Sequence, residues 1–249
     1  MTHLITVATK RFILMASDTR LNYHEESIEN GQTYMLIKLV ADCCRKTFFL
    51  NKIKIGIQFI GIGYLRGNDW KKYHLSHFLP LLQNGIKQED EINFKFKKIY
   101  ENLRKMATPG DTSNYINGVM AGFYRNTPYI ASFNTFNKDD SLGIYPVYNI
   151  SFVDSEQILD LEKLKQLKTE KEIIEEINNA IKLSSKNKPH LIGEEVEILK
   201  ITNEEANYIQ ESKNLFFGNY DELMFYFNNN LSAINGQILP SPIKEKINL

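Results

Sequence analysis

The chain has 249 residues, 43% of them hydrophobic, with 30 Lys+Arg matched by 30 Asp+Glu. That length supports one well-cored domain, and zero net charge argues against a protein tuned to nucleic acid or an anionic membrane. The two cysteines, Cys43 and Cys44, are adjacent, which suits a reducing cytosol better than a disulfide or a metal site, and no apolar stretch reaches membrane-spanning length.

Leu4, Thr6 and Ala8 alternate with Ile5, Val7 and Thr9, which predicts a strand starting at the amino end. That start is too short and polar for a signal peptide. Lys10-Arg11 is a charged turn, and Phe12 to Ala16 is a second apolar run closed by Ser17-Asp18-Thr19-Arg20. A hairpin of this length returns Asp18 and Arg20 to the level of Thr2. Asn22 to Gln32 is polar and carries the turn signal Asn30-Gly31, and Tyr34 to Val40 reads as an added strand. Arg45 to Leu50 and Ile55 to Gly63 read as another strand pair, with Lys46 at its start.

Beyond Tyr64-Leu65-Arg66-Gly67-Asn68, a loop, Asn68 or Asp69 is a candidate N-cap. Trp70, Tyr73, His74, His77, Phe78, Leu81 and Leu82 fall at helical spacing, interrupted by Pro80. His74 and His77 would share a polar face, and no third ligand stands at a spacing that suits zinc. Glu91 to Ala107 predicts a helix, broken by Thr108-Pro109-Gly110-Asp111. Tyr115 to Tyr124 and Pro128 to Phe133 predict a hairpin across Arg125-Asn126-Thr127, followed by a turn-like Asn134 to Gly143. Val147 to Val153 reads as a short strand. Thr169 to Ser185 reads as an amphipathic helix with Thr169 as N-cap. Glu194 to Thr202 alternates and is expected to be the last sheet strand, with further helix in Asn203 to Asn230. An aromatic cluster there, Phe216, Phe217, Phe225, Tyr226 and Phe227, is expected to pack on the body. Residues 236–249, with Pro240 and Pro242, are expected to form an extended arm.

Chemistry concentrates at the amino end. Removal of Met1 leaves Thr2 with a free α-amine beside a hydroxyl. A hydroxyl needs an adjacent base to act as a nucleophile, and an α-amine of pKa roughly 7.7–8.0 can be that base. A small residue after Met1 also does no more than permit Met removal, so Thr2 by itself decides nothing. A structural salt-bridge role for both Asp18 and Arg20 is the alternative.

The N-terminal threonine, the Asp-Thr-Arg at 18–20, the Lys46 opening a third strand and the glycines ending a fourth together resemble the proteasome β-subunit and related N-terminal-nucleophile (Ntn) hydrolases. Ala121-Gly122-Phe123 resembles a strand ending of that family. The resemblance implies an α+β fold, a four-layer αββα sandwich of two antiparallel sheets flanked by helices. It implies one domain over residues 1–235, with 21–45 holding an insertion of about a dozen residues. It implies that Thr2 is the nucleophile, Asp18 and Lys46 an ion pair beside it, and Gly61 the oxyanion donor, with Gly63 as the alternative. Arg20 would tie the second strand to neighbouring carbonyls. A peptide or amide substrate, a homo-oligomer, a cytoplasmic setting, and neither metal nor organic cofactor complete what it implies.

The second half departs from that pattern. The family carries a Gly-Ser-Gly type turn after the strand at Val147–Val153, where this chain has Asp154-Ser155-Glu156. It also carries an aspartate and then a serine ahead of the last strand, where this chain has Lys186 to Gly193. Asp154, Ser155 and His190 are the residues available to replace those groups. An inactive scaffold subunit, or an amidase acting on a small amide, therefore stays open beside the peptidase.

Overall fold

The computed structural model describes residues 2–29, 32–60, 64–66, 71–106, 116–135, 141–229, 231 and 236–246. In chain order the elements begin with β1 (Leu4–Thr9), β2 (Ile13–Asp18), β3 (Arg20–Glu29), β4 (Gln32–Asp42), β5 (Thr47–Leu50), β6 (Ile55–Ile60), β7 (Tyr64–Arg66) and β8 (Lys72–His74). A 3-10 turn, Leu75–Phe78, leads into α1 (Leu79–Leu82) and α2 (Ile92–Met106). Then come β9 (Asn117–Tyr124), β10 (Thr127–Asn134), β11 (Ser141–Pro146), β12 (Ile150–Asp154), α3 (Leu161–Gln166) and α4 (Glu170–Asn187). The chain closes with β13 (Val196–Ile201), β14 (Ala206–Gln210), α5 (Tyr220–Asn229) and β15 (Gly236–Lys246).

These elements make a mixed α+β molecule with antiparallel sheets. One five-stranded sheet has the order β12-β1-β2-β13-β14, and a second has the order β11-β10-β9-β6-β5. Ala8, Ile13, Met15 and Leu199 of the first sheet share an apolar cluster with Val119, Ala121 and Ile130 of the second. On its other side the first sheet packs Ile5, Val7, Leu14 and Ile198 against Ile173, Ile177 and Ile181 of α4. The second sheet packs Phe48, Ile57 and Phe59 against Phe96, Ile99 and Leu103 of α2. Each strand alternates its side chains between two faces, and here both faces are covered. This is why β1 and β2 are buried along nearly their whole length.

The local signals have identifiable causes. Thr169 accepts from the Glu172 amide while the Glu172 carboxylate accepts from the Thr169 amide, a reciprocal cap that starts α4. The β9–β10 turn holds Arg125 at φ 47° and Asn126 at φ 64°, both left-handed, as a two-residue hairpin turn of matching twist requires.

Several expectations are corrected. Trp70 to Leu82 is no continuous helix: Lys72–His74 pairs with Tyr64–Arg66 as a small hairpin, and Pro80 sits in the first turn of the short α1, where its missing N–H costs nothing. His74 is not a polar-face residue, being 0% exposed. Glu194 to Thr202 is not the last strand, because β14 continues the sheet and β15 follows α5. The turn-like 134–143 region ends in β11, and α3 was not anticipated. The added strand expected at Tyr34 to Val40 is present within β4, which pairs with β3, and residues 236–246 of the expected arm pair with β4 as β15. Of the aromatic cluster, Phe227 is buried beside Leu223, whereas Phe225 is 61% exposed. Asn68, Asp69, Trp70 and Thr108 to Asp111 lie outside the described residues.

Candidate functional site

The β1–β2 register sets Leu4 opposite Ser17, which brings the first residues of the chain against Asp18. Asp18 is 0% exposed and is a hub. Its Oδ1 accepts from the His3 amide at 2.9 Å. Its Oδ2 accepts from the Arg20 amide at 3.0 Å, Lys46 Nζ at 3.0 Å and the Gly193 amide at 3.2 Å. Four donors saturate one carboxylate, and three of them arrive from distant segments. Lys46 itself is 2% exposed. Burial of two opposite charges is tolerated when the remaining lone pairs are satisfied, as they are here.

Lys46 reaches Asp18 because residues 43–46 cross beneath the end of β2. The Cys44 amide donates to the Thr19 carbonyl at 2.9 Å, and the Phe59 amide to the Lys46 carbonyl at 3.0 Å. Arg45 points the other way, to Glu197 at 2.9 Å, with its guanidinium 4.2 Å from the Tyr208 ring centre. Arg20 grips Asp42 through two bonds of 2.6 and 2.5 Å and also donates to the Pro189 carbonyl. A Cβ on Gly193 would stand 2.6 Å from Asp42 Oδ1, so a side chain here would push against the Arg20–Asp42 pair while the amide reaches Asp18.

The amino end is held from the other side by Asp154 and Ser155. Ser155 Oγ donates to the Thr2 carbonyl at 3.1 Å and accepts from the Leu4 amide at 3.0 Å. The Ser155 amide donates to the Leu4 carbonyl at 3.1 Å. His3, 0% exposed, donates from Nε2 to Asp154 Oδ1 at 2.7 Å. A carboxylate can only accept, which fixes the proton on Nε2. Asp154 also takes the amides of Glu156, Ile158 and Leu159 at 2.7–2.9 Å. Burial pushes the Asp154 carboxyl up, but His3 and these amides outweigh it and hold it below the usual carboxylate range.

A buried polar network sits one residue away. Thr6 Oγ1 donates to Gln58 Oε1 at 2.6 Å, and Gln58 Nε2 donates to the Ala16 carbonyl at 2.8 Å and to Thr47 Oγ1 at 2.9 Å. Ser17 Oγ bonds Thr47 Oγ1 at 2.9 Å. These contacts fasten β1 and β2 to β5 and β6 next to Asp18 and Lys46. Fully satisfied buried networks fix relative positions more sharply than apolar packing does.

The other nucleophile candidate is inert. Cys44 Sγ lies 3.8 Å from His74 Nε2. Burial pushes the thiol up to about 12, and burial followed by the nearby His77 pulls the imidazole down to about 4. The pair is neutral at pH 7, whereas a nucleophilic cysteine needs thiolate.

Thus Asp18 gathers Lys46, the Arg20 amide and the amide that follows Thr2, while the Arg20 side chain turns to Asp42 and Pro189, and Thr2 is 2% exposed. Gly61 and Gly63 lie outside the described residues. Gly193, Asp42 and Gln58 were not singled out from sequence, since each acts across a long separation. Asp154 and Ser155 are legible in the sequence only as the residues that fill the turn where the resemblance expects a serine. Among the described residues no helix is long and apolar enough to cross a membrane. No protein-family model matches the chain, and a search of curated proteins finds no match.

Proposed function

We propose that the chain is a proteasome-like threonine peptidase or amidohydrolase that uses Thr2 after Met1 is removed, built on the four-layer αββα sandwich of the Ntn hydrolases. The observation that carries this reading is the Asp18 carboxylate, which binds Lys46 Nζ and the peptide N–H directly after Thr2 at once. The two sheets packed face to face, with α2 and α4 on their outer sides, support the fold assignment.

In this mechanism Thr2 Oγ attacks the scissile carbonyl. The Thr2 α-amine takes the hydroxyl proton, directly or through a water, and passes it to the leaving amine. Water then hydrolyses the ester. The Lys46 charge favours the neutral amine and the developing alkoxide. Asp18 keeps Lys46 charged and oriented. The family pattern gives the oxyanion donor to the Gly61 amide, with Gly63 as the alternative; one such donor contributes about 3–4 kcal/mol in a comparable enzyme. Ser155 holds the Thr2 carbonyl. The substrate is a peptide or a smaller amide, and by family analogy the assembly is a homo-oligomer in the cytoplasm.

A second reading, a proteasome-like subunit without catalysis, rests on the 2% exposure of Thr2. One experiment separates the two. Intact mass of natively expressed protein reports Met1 removal, and an electrophile specific for N-terminal threonine then reports reactivity. We expect labelling of the demethionylated protein and none of Thr2→Ala. A demethionylated protein that does not label overturns the enzyme reading in favour of the scaffold. Light scattering tests the oligomer, and a monomeric mass removes that part of the proposal.

A further inference from the structure

At the far end of β1 from Thr2, a groove of about 1000 Å³ lies between the β1–β2 turn and the α3–α4 connection. Its floor is the open edge of the core between the first sheet and α4. Leu164 and Ile173 there are buried, and Phe12, Ile150 and Leu167 are partly buried members of the same cluster. Its rim is basic: Lys10, Arg11, Lys165, Lys168 and Lys200 line it, against Glu170 as the acidic residue. In a chain with 30 cations and 30 anions, that is a local segregation of charge. Lys200 is paired with Glu170 at 2.8 Å and Lys165 with Glu162 at 2.7 Å. Lys10 and Arg11 have no carboxylate partner among the described residues, and Lys168 sits beside Glu172, whose carboxylate accepts from its amide at 2.8 Å.

We propose that this groove docks an acidic peptide segment of a partner protein, with an apolar side chain anchored on the floor and carboxylates on the basic rim. Two observations select this occupant. The rim cations come from the β1–β2 turn, the α3–α4 connection and β13, which suits several carboxylates on an extended chain better than one compact anion. Phe12 is the single aromatic residue on the lining, whereas single-stranded nucleic acid is held by successive aromatic platforms. An apolar floor within a charged rim is the usual anatomy of a peptide-docking site. The six residues of β1 put the groove roughly 20 Å from Thr2, so the proposal stands or falls apart from the hydrolase reading.

The test uses the full chain and a fluorescein-labelled peptide, Glu-Glu-Asp-Phe-Glu-Glu-Leu, followed by anisotropy. We expect saturable binding that weakens severalfold when salt is raised from about 50 to about 300 mM. The triple variant Lys10→Glu/Arg11→Glu/Lys168→Glu should weaken it by about tenfold or more. Lys97→Glu/Lys213→Glu, on exposed positions elsewhere, should leave it unchanged. A peptide with serine in place of phenylalanine and leucine should bind about fivefold more weakly or worse. Matching thermal melts show that both variants remain folded. Absence of saturable binding, equal loss in the two variants, indifference to the apolar anchors, or tighter binding of a single-stranded oligonucleotide of equal charge each overturns the proposal.

Discussion

Asp18 and Asp154 are built alike and behave differently. Each buried carboxylate accepts three backbone amides and one side-chain nitrogen. The amides on Asp154 all come from the next five residues, so it organises its own turn and adds one long-range bond, to His3. The donors on Asp18 come from the residue before β1, the start of β3, the residue before β5 and the segment before β13. Asp154 therefore clamps the amino end from one side, and Asp18 is where four parts of the chain meet. A site assembled at such a junction is rigid because no single segment can shift alone.

Asp18→Ala should have the largest effect of any single substitution at either carboxylate. It leaves Lys46 buried without its partner, a change that costs about 3–5 kcal/mol. Urea denaturation should record that loss, and Asp18→Ala/Lys46→Met should recover part of it. If the single variant costs less than about 1 kcal/mol, the four-way junction described for Asp18 does not govern stability. Asp154→Asn should cost less, about 1–3 kcal/mol, because one amide acceptor remains for His3 or the turn. It also carries a pH signature. The folded Asp154 pKa lies below its unfolded value, so its stabilisation is complete above about pH 4 and is lost as pH falls through the depressed folded value. Wild type should lose more stability than Asp154→Asn as pH falls below about 4, and parallel curves would contradict the pairing with His3.

The same contrast separates what was legible in the sequence from what was not. β1 and β2 were legible because alternation and a charged turn are local signals, and the hairpin geometry then returned Asp18 to Thr2. The α4 cap was legible for the same reason. Gly193 was not, since its value lies in an amide delivered across 175 positions. The misreading of Trp70 to Leu82 is instructive: apolar residues spaced three and four apart fit a helix, but β8 exists because β7 is there to pair with it. β11 shows almost no burial alternation, which leaves an edge strand without a pattern to read. The ring of His74 lies among Phe48, Tyr64 and Phe217, from three separate parts of the chain.

Ser155→Ala probes the clamp more finely than Asp154 does. It removes a donor to the Thr2 carbonyl and an acceptor for the Leu4 amide, and should cost about 1–2 kcal/mol. Under the hydrolase reading it should also slow Thr2 labelling at unchanged Met1 removal, because the nucleophile's own peptide group is no longer fixed. The smallest effect is reserved for a position far from either carboxylate. Thr169→Ala deletes one half of the α4 cap and should cost about 1 kcal/mol. It touches neither Asp18 nor Asp154, so it should lower the thermal midpoint while leaving the labelling rate unchanged. Comparison of these two variants at similar stability loss isolates geometry from stability. A labelling rate that falls equally in both would mean that reactivity follows global stability, and that the Ser155 bonds hold the strand without holding the nucleophile.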